Sequence, residues 1–346
     1  MTDKIRFMRE NQISTGKIIG GKEIFAIELV NKRGSKVKIY NYGGIISEFI
    51  ITNAKGDKQD VVLGFDDIDG YLNEDYLADY PYLGAIVGRY ANRIKDGKFS
   101  VDGVDYQMTK SLHGGIEGFD KKVWDILATT GPTLTLQYVS KAGEEGFPGN
   151  LTVQVTYKLS DEDELVLDFH ATTDADTPVN LTHHTYFNLL NEGGNVRSHH
   201  HRMPASNYLQ QDEEYVVTGA LLPVEGTIHD FLGGKLIGAD WDEAEGYDQS
   251  YVLDKPYGEL GMASETIEPE SGLKLEVYTT EPIAHFYTAK YLNVQNAKGD
   301  RDYHKFQAFC VETQHAPNSV NIPSLPTTIL KPGETYKQTT IFKIVV

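Results

Sequence analysis

The chain has 346 residues, a formal net charge of -18 and a hydrophobic fraction of 40%. Such an acidic excess argues against a nucleic-acid partner, whose phosphates this surface would repel, and against anionic membranes. A lone cysteine, Cys310, excludes an intramolecular disulfide and a cysteine-based zinc cluster, and an intracellular, cytoplasmic home is the simplest reading.

At the N-terminus, residues 1–11 lack the apolar core of a signal peptide. Nowhere does an apolar run approach the ~20 residues needed to cross a bilayer. Residues 23–30, 36–42 and 45–52 read as strands. Residues 99–108 read as a hairpin, because Asp102-Gly103 supplies the positive φ angles of a tight turn. After a strand over 133–140, residues 150–160 alternate strictly, which puts Leu151, Val153, Val155, Tyr157 and Leu159 on one face. The acidic turn that follows predicts an antiparallel neighbour over 165–172. Further strands are expected over 273–280 and 339–346.

Long helical periodicity is scarce, and turn signals recur between short β runs. Pro256, Pro269 and Pro282 interrupt the later portion without forming a linker. The pentapeptide NAKGD starts at Asn53 and again at Asn296, and both copies are expected to be exposed hairpin turns. Length admits one large domain or two ordinary ones. No seam is visible, so the expectation is one all-β domain over residues 1–346, an antiparallel sandwich.

Several segments carry chemistry. GRYANRI, residues 88–94, offers Arg89, Asn92 and Arg93 as donors to hydroxyls or a carboxylate, or as structural groups. In SLHGGIEG, His113 precedes two glycines, either where backbone approaches a ligand or in a simple turn. His183 and His184 are adjacent in NLTHHTYFNL, so in extended chain only one can face a given pocket, and either can be a packed core histidine. Asp248 in GYDQSYVL can bind paired hydroxyls or close a turn. Glu312 ends the apolar run Phe309, Cys310, Val311. It is either a general base in a costly, partly apolar setting or a strand-end glutamate facing water.

Taken in order, GRYANRI, SLHGG, NLTHHTYFNL, GYDQSYVLDKP and ETQHAPNSVN resemble the aldose 1-epimerases, or galactose mutarotases, from about Ile18 to the C-terminal strand. The resemblance implies a large single-domain antiparallel β-sandwich, the mutarotase-like supersandwich, with an open cleft for one pyranose and no cofactor or metal. It places the general base at Glu312 and the general acid at His184, the histidine just before a hydroxylic residue and YFNL. His113 would bind the sugar near its reacting end. Asn92 and Arg93 would hold ring and hydroxyl oxygens, and Asp248 would accept from hydroxyls away from C1. His285, in PIAHFYT, stands where the family often has glutamine, which bears on sugar preference.

The implied reaction is anomer interconversion of an aldohexose such as galactose or glucose, or of a reducing disaccharide such as maltose. A non-catalytic sugar-binding sandwich would share these aromatics and this polar cleft. A glycoside hydrolase would need two carboxylates flanking the bond, for which Asp248 and Glu312 are the pair. A phosphosugar epimerase would need a cationic cluster beyond Arg89 and Arg93. The run His199-His200-His201 invites a metal, but three adjacent strand residues cannot all face one ion, so a solvated loop is expected.

Overall fold

Alternation along residues 151–159 is realised as the strand Leu151–Leu159, whose five apolar side chains are all fully buried. It pairs antiparallel with Glu164–Thr173 in continuous register from Leu151↔Thr173 to Leu159↔Leu165. Each such side chain removed from water contributes about 1.5–3 kcal/mol relative to exposure. The computed structural model describes residues 11–52, 56–190, 194–241 and 245–346.

Among the described residues every pair of strands is antiparallel, one isolated bridge, Tyr90 with Asn180, is parallel, and the only α-helices are two of five residues, Ile68–Leu72 and Glu74–Ala78. A nine-stranded sheet forms the centre. The last strand, Tyr336–Val345, lies inside it between Lys274–Thr279 and Glu164–Thr173, so the chain's end closes the middle of the sheet. The predicted strand over 339–346 therefore starts three residues earlier and joins partners far away in sequence. The hairpin is as expected: Lys98–Val101 pairs with Val104–Gln107 across Asp102 (φ 51°) and Gly103 (φ 76°).

Two five-stranded sheets pack on this centre. One is N-terminal and includes Lys22–Val30, Lys36–Tyr40 and Ile46–Thr52. The other runs Val217–Pro223, Asn207–Gln211, Asp248–Val252, Ile283–Tyr287, Cys310–Gln314. Val153, Val155 and Phe342 of the central sheet share one core with Ile27, Val37 and Phe49 from the first and with Phe286 and Val311 from the second. That fixes which face of the second five-stranded sheet points inward, and its other face is free to build a site. No described helix is long and apolar enough to cross a membrane.

Two expectations change. His200–Arg202 is a strand of the nine-stranded sheet, and His199 and His201 are completely buried, so this run is not a solvated loop. His201 stacks on Phe286 at 4.2 Å and meets the Thr266 hydroxyl at 2.8 Å, while the His199 Nε2 accepts from the Leu189 amide. Period two sends them into the core because the flanking strand is packed there. The NAKGD copy at Asn53 falls partly outside the described residues. The copy at Asn296 has an exposed tip, but Lys298 turns inward to Asp60 at 2.6 Å and to the carbonyls of Ser47 and Val62.

Candidate active site

On the strand Cys310–Gln314, Val311 faces the core, so Cys310 and Glu312 face the opposite way. Register with Ile283–Tyr287 sets His285 directly opposite Glu312, and register with Asp248–Val252 sets Ser250 opposite His285. Asp248, Ser250, His285 and Glu312 therefore share one face of three neighbouring strands. That face floors an open cleft, also lined by Tyr82, His113, His184 and Tyr287.

The wall comes from two other segments. His184 follows the short strand Thr182–His183, and its backbone is pinned by hydrogen bonds with Ala85 and Gly84. GRYANRI runs beside it, with the Ala91 amide donating to the Asn180 carbonyl at 2.7 Å. Asn92 and His113 both sit in the left-handed region, at φ 59° and 52°. They lock together: the His113 amide donates to the Asn92 carbonyl, and the Asn92 amide donates to His113 Nδ1 at 3.2 Å. The glycine after His113 has φ 84°, and a side chain there would collide with the Gly88 carbonyl. That glycine thus lets loop pack on loop, not backbone on ligand.

All seven sequence-predicted residues, Asn92, Arg93, His113, His184, Asp248, His285 and Glu312, line this one cleft. Glu312 is buried, so it is not a strand-end glutamate facing water. Its Oε1 lies 3.6 Å from His184 Nε2, and its Oε2 is buried with no hydrogen-bond partner in the protein. An unpaired buried carboxylate oxygen is costly, and a ligand hydroxyl would satisfy it. Arg93 rests its guanidinium 5.5 Å from the Tyr215 ring and remains partly open.

His184 is stacked at 4.9 Å on Tyr186 and faces Tyr82 at 6.2 Å. Burial pulls its pKa below the ordinary histidine value, and the Glu312 charge opposes that pull. His113 is pushed well below the usual range by burial, with His184 and Arg93 adding to it. Because Nδ1 of His113 accepts from a backbone amide, its proton sits on Nε2, and the ring is a neutral donor.

His113, His184 and Glu312 bring ligand-type atoms within 4.8 Å of one another. A metal would need a lone pair on His113 Nε2, which means a proton on Nδ1 aimed at the Asn92 N–H. The arrangement fits two proton-transfer groups and a neutral donor better than a cation.

The neighbours of the predicted residues separate cleanly. His183 turns away, with Nδ1 on the Thr185 hydroxyl at 2.7 Å and Nε2 on the Gly44 carbonyl at 3.2 Å. Arg89 also leaves the cleft, and its guanidinium is wrapped by the carbonyls of Pro148, Gly149, Ser140 and Lys141 and the hydroxyls of Ser140 and Thr177. Sequence reasoning missed Tyr82, Tyr186, Tyr287 and Tyr291, which line the cleft, and Lys290. The Lys290 ammonium stands 3.5 Å from Asp248 Oδ2 and 4.1 Å from the Tyr215 ring. Alternation of Asp248 with Ser250, and of Glu312 with Cys310, was the available signal for the sheet face; the tyrosines gave none.

Residues 26–343 match the family model described as aldose 1-epimerase. The galactose mutarotase of Rattus norvegicus is 40% identical over 316 residues, covering 89% of this chain and 90% of that protein. The aldose 1-epimerase of Escherichia coli K12 is 32% identical over 338 residues, covering 94% and 96%. Among solved structures, an aldose epimerase homologue from C. elegans superposes with TM-score 0.85 at 28% identity, covering 92% of this chain and 98% of that one. A galactose 1-epimerase from Lactobacillus acidophilus shares the fold, with TM-score 0.82 at 24% identity, covering 97% and 98%. Matches over most of both chains, together with a cleft that gathers all five motifs, mean that the chain belongs to the aldose 1-epimerase family and is an isomerase.

Proposed function

We propose that the chain interconverts the α and β anomers of a free aldohexose, galactose or glucose, by general acid–base ring opening and reclosure. One observation carries the reading: Glu312 and His184, far apart in sequence, meet at 3.6 Å where the floor and wall of the cleft join, with one carboxylate oxygen unclaimed. Glu312 removes the proton of the C1 hydroxyl. His184, protonated, donates to the ring oxygen as the C1–O5 bond breaks. Rotation about C1–C2 presents the other face of the aldehyde, and the two groups reverse their roles on closure. No covalent intermediate is required. Acid–base action of this kind supplies about 10²–10⁴-fold, and positioning adds to it.

His113, as a neutral Nε2–H donor, and Arg93 hold the ring-oxygen side. Asn92 holds hydroxyl oxygens, and Asp248 accepts from hydroxyls away from C1. The strand Tyr336–Val345, seated mid-sheet, supports reading residues 1–346 as one domain. A reducing disaccharide is the second reading, favoured by the Tyr291 ring, 56% exposed at the cleft's rim, where a second sugar can stack. Polarimetry after dissolving crystalline α-galactose, α-glucose and maltose tests both. An optical rotation that relaxes no faster than the uncatalysed control for every sugar refutes the function.

A further inference from the structure

His285 lines the cleft, yet both of its ring nitrogens are already engaged by the protein. Nε2 lies 2.9 Å from Asp248 Oδ1, and Nδ1 lies 2.9 Å from the Ser250 hydroxyl. A carboxylate can only accept, so Nε2 carries a proton and gives it to Asp248. Ser250 and His285 are fully buried and face one another across the strand pair, so close packing leaves both side chains little room to swing away. Asp248 Oδ2 meets Lys290 at 3.5 Å on its other side. Burial works against the Asp248 charge, but His285, Lys290 and Arg93 outweigh it and hold the carboxyl at about 2.

We propose, resting on the aldose 1-epimerase reading above, that Ser250 and His285 are a positioning relay that locks Asp248 as an acceptor-only clamp on a sugar hydroxyl. The imidazole does not itself touch the sugar. It turns the carboxylate so that its remaining lone pairs point into the cleft, and it leaves no donor of its own at that end. The clamp therefore reads hydroxyls as donors and discriminates against a sugar that lacks the hydroxyl at the clamped carbon. A group that acts on a distant hydroxyl in ground and transition states alike changes KM and leaves kcat nearly alone.

The test is steady-state mutarotation by wild type, His285→Leu, His285→Gln and Ser250→Ala, with melting curves on each. The sugars are galactose and its 2-, 3-, 4- and 6-deoxy forms. His285→Leu is expected to raise the KM for galactose at least ~10-fold with kcat within ~3-fold, as loss of a hydrogen bond to a charged group implies. Ser250→Ala is expected to raise KM ~2–5-fold, as loss of a neutral hydrogen bond implies. His285→Gln, whose amide can still donate to Asp248, is expected to recover most of the KM lost in the leucine variant. One deoxy sugar should be a poor substrate for wild type, and its penalty should shrink in His285→Leu. An unchanged KM in His285→Leu, a fall in kcat alone, or an undiminished deoxy penalty overturns the relay. If the leucine variant does not fold, an unchanged KM in Ser250→Ala overturns it. Wild-type protein inert toward every aldose defeats the functional reading instead, whereas an active wild type with unmoved variants defeats the relay alone.

Discussion

Glu312 Oε1 and His184 Nε2 stand 3.6 Å apart with both side chains buried, a separation too long for a tight hydrogen bond and short enough for both to reach one hemiacetal. Glu312→Gln preserves shape and removes the proposed base. Turnover is expected to fall by about 10²–10⁴-fold, with galactose binding by calorimetry retained. A glutamine variant with wild-type polarimetric rates would contradict the assignment.

The two adjacent histidines should respond differently to alanine. His184→Ala removes the proposed acid and is expected to cost turnover on the scale of Glu312→Gln. His183 serves the core through Thr185 and Gly44, so His183→Ala leaves those partners unpaired. It is expected to cost about 1–3 kcal/mol of stability, with a much smaller effect on kcat in the folded protein. Denaturant melts and single-concentration rates on both variants separate the roles. Equal kinetic damage from both would undermine the choice of acid.

What was legible in the sequence followed from period and from motif. Leu151–Leu159 could be read because one of its faces is wholly apolar, and the Asp102-Gly103 turn because two successive positive φ angles demand those residue types. The site residues were named through resemblance, and the geometry gathers all of them in one cleft. What was not legible depends on contacts between distant strands. Nothing local says that Tyr336–Val345 inserts between Glu164–Thr173 and Lys274–Thr279. His199 and His201 look solvated by polarity, but alternation with Met203 was a signal that this segment is a buried strand. Lys290 could not be found, because a lysine is ordinarily at the surface, and here Asp248 and two tyrosine rings hold it inside.

Arg89, the other arginine of GRYANRI, is a structural cation. Burial lowers its pKa to about 10, and it stays charged at neutral pH while donating to four carbonyls and two hydroxyls. Arg89→Lys keeps the charge but loses the planar fork that spans these acceptors. It is expected to destabilise the fold by about 1.5–3 kcal/mol, read as a lower urea midpoint at unchanged slope. Rates per folded molecule should stay within a few-fold, because the guanidinium does not reach the cleft. A variant with wild-type stability and altered KM would place Arg89 in the site after all.

Buried histidines make stability depend on pH with a definite sign. Burial depresses His183 and His201 to about 3 and His199 to about 4. Below about pH 6.5 the unfolded chain protonates at each of these positions and the folded protein does not. The unfolded state then binds more protons, so stability falls as pH drops, by about 1.4 kcal/mol per pH unit for each fully protonated site. His315 acts in the opposite sense. Burial lowers its pKa, but Glu281, 2.5 Å away, outweighs burial and leaves it raised. Its contribution is complete below the unfolded value near 6.5 and is lost as pH rises through the folded value. His113, His184 and His229 are depressed by burial as well, so the lowered histidines outnumber the one raised histidine and put the steep side of the profile at acid pH. Urea midpoints are therefore expected to drop sharply between about pH 6 and pH 4, and His201→Phe, which suits the stacking on Phe286, should flatten that drop. The Glu281→Gln variant should instead lose the decline on the alkaline side, and a midpoint in either variant that tracks wild type across the whole range would refute the assignment for that pair.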